Sequence, residues 1–387
     1  MENRIFSSVL AVTIFVSLVS AIGGVPFNTM PLLLTSIDEG LGLSTQDKAN
    51  LSSYAFAGYL VGTLIGPVIV DRVSWRLFSL VAATLAALSL IVSAHSVSTI
   101  LAFSWLGFGF FSSFLHSICM RILAEMPDEE RAYGTRLSVE LVSISLILFI
   151  LPILFIKHYQ YFGAAYALAG FIAILALGIF FMPQRPTTNI KAPIALPAFK
   201  SASKSYFALF IFLIYCLANV GLWIFVGVIA QAYNPSAEQM SLLFFMLKVL
   251  GGLAGFVGAV IGARAGIRYP NSVSFLIITI GSIGLLTASS FHAVMIATWI
   301  WEFGFTLGCI YQTAGVARFD TSNRLVMLVP TAFAISSFFG AQVAGLLSAN
   351  GNFDNLYYFV IGCSFLPAVY YFVIDFFATE KTHAKTS

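Results

Sequence analysis

Long apolar stretches alternate with short polar breaks from one end of the chain to the other. Within each stretch the apolar positions are continuous, without the two-residue alternation of a membrane barrel strand. A helix needs about 20 such residues to cross a bilayer. The pattern predicts twelve spans, at 5–34, 49–70, 77–94, 98–123, 134–156, 160–182, 205–232, 239–262, 272–290, 292–316, 324–348 and 355–377. The first begins right after Arg4, as a signal peptide would. It runs on past Pro26 without a clear small-residue cleavage site, so it is read as a retained span.

The longest inner break divides the pattern in two. Residues 183–204 carry Pro183, Pro186, Pro193 and Pro197, which break helices, and Arg185, Lys191, Lys200 and Lys204, which prefer water. The expected division is an N-terminal six-helix bundle at 1–182, a cytoplasmic linker at 183–204, and a C-terminal six-helix bundle with a short cytoplasmic tail at 205–387. The expected fold is thus an all-α membrane protein, twelve transmembrane helices in two pseudo-symmetric bundles, with a site where the halves meet.

Composition agrees with this. Of 387 residues 59% are hydrophobic and 9% charged, where a soluble domain carries about a quarter charged residues. The formal charge of +3 is too small to argue for nucleic acid as a partner; membrane lipids and a small-molecule substrate are expected instead. Cys119, Cys216, Cys309 and Cys363 lie in or beside apolar runs without a paired motif, so neither a disulfide nor a metal site is expected. Scattered His and Ser residues form no nucleophile or metal constellation, which argues against an enzyme.

Charge placement sets the orientation. With the N-terminus inside, sixteen of the 19 Lys and Arg residues fall on the cytoplasmic side. Lys48 and Lys157 fall outside and Lys248 within a span. Both termini are then cytoplasmic, in a plasma membrane or bacterial inner membrane. Trp75, Tyr159, Tyr161 and Tyr206 sit where interfacial anchors belong. Gly58, Gly62 and Gly66 share one face of the second span, and Gly251, Gly255, Gly258, Gly262 and Gly266 are similarly spaced in and after the eighth. Such faces serve either fixed close packing or a sliding contact.

The segment GPVIVDRVSWR, residues 66–76, resembles the conserved cytoplasmic loop of the major facilitator superfamily. Asp71 and Arg72 match its central acidic–basic pair and Arg76 its final basic position. It departs from the pattern at Pro67, Ser74 and Trp75. Together with the span count and midpoint linker, the resemblance covers essentially the whole chain. It implies a secondary transporter of the major-facilitator type that can function as a monomer. It also implies that Asp71, Arg72 and Arg76, with Arg121 and Arg136 at neighbouring cytoplasmic helix ends, form a conformational motif or gate; the bland alternative is that Asp71 and Arg72 mark the aqueous boundary. Trp105 stands where many proton-coupled members carry an arginine. The fifth span, VSISLILFILPILFI, lacks the glycine-rich motif of the drug-exporting branch.

Ionisable residues inside spans are costly and mark function by default. Glu302 lies near the middle of the tenth span and Lys248 near the middle of the eighth. A carboxyl isolated from water can load and release a proton as its exposure changes. Glu302 is therefore the leading proton-coupling candidate, with Glu140 and His116 behind it. Lys248 is the candidate attractor for an anionic substrate. Pairing of Glu302 with Lys248 is the structural alternative. Arg136, one turn before Glu140, suggests a salt-bridge cluster that also draws in Arg121, and His116 has the alternative of bonding a backbone carbonyl. Asn28, Asn219, Tyr311 and Gln312 are polar candidates for substrate binding, and Pro26 is expected to loosen the helix beside Asn28. Trp223 and Trp301 either line a cavity or pack.

These residues make the expected function proton-coupled movement of a small organic solute, an organic anion, by alternating access, with symport favoured and no cofactor besides the coupling proton. The alternatives are a proton-coupled exporter of amphipathic or toxic compounds and, outside the carriers, a channel or membrane receptor.

Overall fold

The computed structural model describes residues 2–383 except 42, 124, 127–128, 186–198, 321–324, 326–327 and 349–350; the side chains of some further helical residues, Asp71 among them, lie outside the description. Twelve α-helices follow one another among the described residues. They are α1 (Glu2–Leu41), α2 (Thr45–Ile69), α3 (Trp75–Ala94), α4 (Ser98–Leu123), α5 (Glu129–Ile150), α6 (Lys157–Ala176), α7 (Phe199–Gln231), α8 (Ala237–Ile261), α9 (Arg268–Leu286), α10 (Phe291–Phe319), α11 (Val329–Leu347) and α12 (Asp354–His383). Among the described residues ten stretches are long and apolar enough to cross a membrane, one of them, Thr135–Phe181, taking in both α5 and α6 with a kink at Gln160. Helices are what such sequences must form in lipid, because every backbone N–H and C=O then finds its partner within the segment. The fold is all-α and multi-span.

Close contacts divide the chain into two units, Met1–Pro193 with Ser236–Phe245, and Ile194–Pro235 with Met246–Ser387. In the first, α1 packs on α4, α5 and α6, and α3 packs on α4 and α6. In the second, α7 packs on α10, α11 and α12, and α9 on α10 and α12. The same set of pairings thus recurs six helices later. The tightest approach in the first unit, α2 on α4, has no equally close counterpart between α8 and α10 among the described residues.

The reason lies in the glycines. A side chain at Gly58 would collide with the backbone carbonyl of Leu106, and one at Gly109 with that of Ala55. At Gly66 it would come within 2.6 Å of Ser117 Oγ. The glycine face of α2 is therefore close packing against α4. The α8 stripe differs: nothing lies within 4 Å of a side chain at Gly255, Gly258 meets only Ile310, and Gly251 meets only the side chains of Glu302 and Thr306. Ala254, Leu307 and Tyr311 join α8 to α10 through side chains instead.

Several local expectations change. Pro26 and Pro31 leave α1 helical for 40 residues. The Asn28 amide donates to Gly24 O at 2.8 Å and the Thr29 hydroxyl to Val25 O at 2.8 Å, so side chains of the helix itself cover carbonyls near the prolines. Pro152 does perturb its helix, opening a π-helical turn at Leu151–Ile156. Trp75 is fully buried rather than interfacial, its indole N–H given to Val70 O at 2.8 Å. Tyr161 is also buried, receiving the indole N–H of Trp105 at 2.7 Å and lying 2.7 Å from the Ser93 hydroxyl. Tyr159 stays exposed, as an anchor would. Lys48, expected in water, is buried at the start of α2. Most of the linker, residues 186–198, lies outside the described residues.

Candidate functional site

The charged residues within spans collect in two places, one in each unit. In the first unit they lie where α1, α4 and α5 pack. Arg136 and Glu140, one turn apart on α5, form an ion pair. The Arg136 Nε also donates to Ser20 Oγ on α1 at 3.1 Å. Glu140 can sit against α1 because position 24 has no side chain: a Cβ there would be 2.5 Å from Glu140 Oε1 and 3.2 Å from the Asn28 amide nitrogen. His116 of α4 packs over Gly23, where a Cβ would be 2.6 Å from its own. Its Nδ1 is buried without a hydrogen-bond partner, so the expected bond to a backbone carbonyl is not made at that atom. Tyr59 of α2 lies within electrostatic reach of both Arg136 and Glu140. Arg121, expected in this cluster, pairs at 2.8 Å with Glu125 one turn on.

The loop after α2 holds together its own side of the unit. Arg76 donates to Met182 O, and the Trp75 backbone N–H to Gln184 O at 2.9 Å. Arg72 is exposed, and the side chain of Asp71 lies outside those described.

In the second unit Glu302 and Lys248 come together with Trp223. The Lys248 Nζ stands 3.9 Å above the centre of the Trp223 ring, a cation–π contact between α8 and α7. All three side chains are nearly inaccessible: Lys248 is 8% exposed, Glu302 6% and Trp223 1%. Glu302 bonds the hydroxyl of Thr306, one turn along α10, and feels the charge of Lys248. Its Oε2 is buried with no hydrogen-bond partner. Gly251 leaves room for it, since a Cβ there would be 3.2 Å from Glu302 Oε1 and 3.3 Å from Thr306 Oγ1.

The other candidates on α7 and α10 turn elsewhere. Asn219 is fully buried and fully engaged. Its Oδ1 accepts the Trp301 indole N–H at 2.9 Å, and its Nδ2 donates to Tyr215 O at 2.9 Å and Ser364 Oγ at 3.0 Å. Trp301 stacks on Phe305 with centroids 5.6 Å apart, and so packs. The Tyr215 hydroxyl donates to Phe305 O at 2.9 Å, and Ser274 Oγ to Gly304 O at 2.8 Å, binding α7 and α9 to this face of α10. Tyr311 is buried on the α8 side. Gln312 is fully buried with neither amide atom partnered, beside Tyr371, whose hydroxyl reaches Gln312 O at 3.4 Å.

Thr306 and Ser20 escaped the sequence reading. Thr306 had a signal, four residues after Glu302 and so on its face. Ser20 had none, because its link to Arg136 spans 116 positions and depends on helix packing.

An all-α fold whose helices are mostly long and apolar enough to cross a membrane defines a multi-span membrane protein rather than a soluble one. The sequence matches the Major Facilitator Superfamily profile over residues 9–327, and the chain belongs to that family. Its structure is similar to that of the nucleoside transporter NupG, with TM-score 0.75 and 14% identity over 95% of this chain and 99% of that one. It is similar to a D-xylose–proton symporter, with TM-score 0.73 and 13% identity over 95% and 97% of the two chains. A POT family transporter in complex with a thioalcohol-conjugated peptide gives TM-score 0.64 and 13% identity over 96% of each chain. No curated protein matches the sequence.

Proposed function

We propose that the chain is a proton-coupled secondary transporter of a small organic anion, working by alternating access, with symport the direction of coupling. Glu302 carries the coupling proton. The observation that supports this is its setting: a carboxyl 6% exposed within α10, one oxygen without a partner, next to a lysine charge. A carboxylate left half-satisfied in an apolar helix is costly, and a proton relieves that cost. A group held at this balance responds to any change in its access to water. One of the structurally similar carriers is by its name a proton symporter.

Lys248 is the anion anchor in this reading. The contact of its ammonium with the Trp223 ring is worth about 0.5–2 kcal/mol. A substrate carboxylate or phosphate offers charge-assisted hydrogen bonds roughly twice as strong as neutral ones, so it draws the ammonium off the ring. Trp223 then presents its face to the rest of the substrate. Arg136, Glu140 and His116 form a second polar centre, and Gln312 holds an unpartnered amide; we assign the first to gating and the second to substrate contact. The recurrence of helix pairings six positions apart supports twelve spans in two six-helix bundles, and the lysine and arginine bias supports cytoplasmic termini.

The test is uptake into proteoliposomes of radiolabelled organic acids, neutral nucleosides and sugars, and amphipathic cations, under an imposed pH gradient. Accumulation of an acid when the outside is acidified is the expected result. Cation movement against the proton flow would replace this reading with the exporter, and unsaturable flux with a channel.

A further inference from the structure

A groove of about 310 Å³ runs between α9 and α12 in the second unit, away from the residues assigned to transport. Ser272, Phe275 and Leu276 line it from α9, and Phe365, Val369 and Phe372 are among those lining it from α12. On each helix these positions follow the three- and four-residue spacing of a single face. Leu276 is 57% exposed, Phe365 50% and Phe372 44%, so this face looks out of the unit. The opposite face of α9 is committed inward, where Ser274 bonds Gly304 O.

Arg268 stands at one end of the same α9 stripe, four residues before Ser272. Its guanidinium lies 3.7 Å from the centre of the Phe372 ring, so the residue that lines the groove also carries the charge at its end. No carboxylate pairs with Arg268 among the described residues, and its Nε is buried without an acceptor. Tyr269 beside it is 64% exposed, with its ring 5.1 Å from the guanidinium, as at a membrane interface.

We propose that this groove is a binding site for one anionic phospholipid, its phosphate on Arg268 and one acyl chain between α9 and α12. From Arg268 to Leu276 the stripe is about 12 Å long, against a hydrocarbon depth of about 15 Å in one leaflet. An acyl chain lying there would run most of that depth while its phosphate stayed at the interface. Bulk lipid covers any apolar surface; a guanidinium held on Phe372 at the groove's end, with no carboxylate partner among the described residues, selects the charged headgroup. An apolar peptide or second helix would cover the groove but leave that charge unpaired. The site needs only the multi-span fold and is independent of the substrate, the coupling ion and Glu302.

Native mass spectrometry of the detergent-purified chain tests this, with palmitoyl-oleoyl phosphatidylglycerol and the phosphatidylcholine of the same chains as probes. The native chain should retain the glycerol lipid about fivefold more tightly, the worth of one basic residue near the membrane surface. Arg268→Gln should abolish the preference, Arg268→Lys should keep part of it, and Ala368→Trp, which fills the groove, should weaken both lipids. Thermal unfolding in the same detergent selects variants that remain folded. Equal binding of the two lipids by the native chain, or an undiminished preference in Arg268→Gln, would overturn the proposal. Full competition by glycerol phosphate, which has no acyl chain, would overturn the groove's part in it.

Discussion

The indole N–H of Trp301 has Asn219 Oδ1 as its acceptor, in a place closed to water. Hydrogen bonds between membrane helices average about 0.6 kcal/mol, but a buried donor left without a partner costs about 1–3 kcal/mol. The second effect dominates here, because Asn219→Ala strands the indole and the Ser364 hydroxyl contact together. That variant should lose about 1–2 kcal/mol of stability, seen as a lower unfolding temperature in detergent, while Asn219→Gln gives back part of it. A ligand role for Asn219 would instead show as unchanged stability with a raised KM. For Lys248→Ala the KM for an anionic substrate should rise about tenfold, the worth of one charged hydrogen bond, beside the roughly 0.5–2 kcal/mol of stability lost with the contact on Trp223. A KM unchanged for every anion transported would remove Lys248 from binding.

At the scale of helices, the two glycine stripes read alike in the sequence and behave differently in the structure. Gly58→Ala drives a methyl group into the Leu106 carbonyl, which backbone cannot yield cheaply. It should cost at least about 1–3 kcal/mol and reduce the yield of folded protein. Gly255→Ala meets open space and should stay within about 0.5 kcal/mol of the native chain. Equal losses from both, measured by thermal unfolding, would contradict the packing described for α2 and α8. Spacing alone could not separate them, because a stripe of small residues shows that close approach is possible and says nothing of whether a neighbour takes the offer. The same limit applies to α10. Its lipid face and its packed faces are equally apolar, so periodicity cannot tell which way Glu302 points. Only contacts with Gly251, Thr306 and the Lys248 charge orient it.

Across the whole molecule, the helices were legible because the bilayer acts as a uniform solvent: any stretch that crosses it must be long, apolar and helical. Nearly every predicted span overlies an observed helix, with ends that shift where the apolar run says nothing about caps, as at α1 and α12. Contacts between distant segments were not legible. Arg76 on Met182 O, Ser20 on Arg136 and Trp105 on Tyr161 each join positions far apart in the chain. In the same way, Tyr161 and Trp75 were expected at interfaces because their residue type favours such sites, and packing put them inside.

Proton coupling through Glu302 is tested most directly by following protons and substrate together in proteoliposomes, with an internal pH dye, for the native chain and Glu302→Gln. The native chain should acidify the lumen as the anion enters and accumulate it under an inward proton gradient. Glu302→Gln should still exchange labelled for unlabelled anion across the membrane, yet neither accumulate it nor move protons. Proton-driven accumulation that survives in Glu302→Gln would contradict the assignment and move the coupling proton to another group, with Glu140 and His116 next in line.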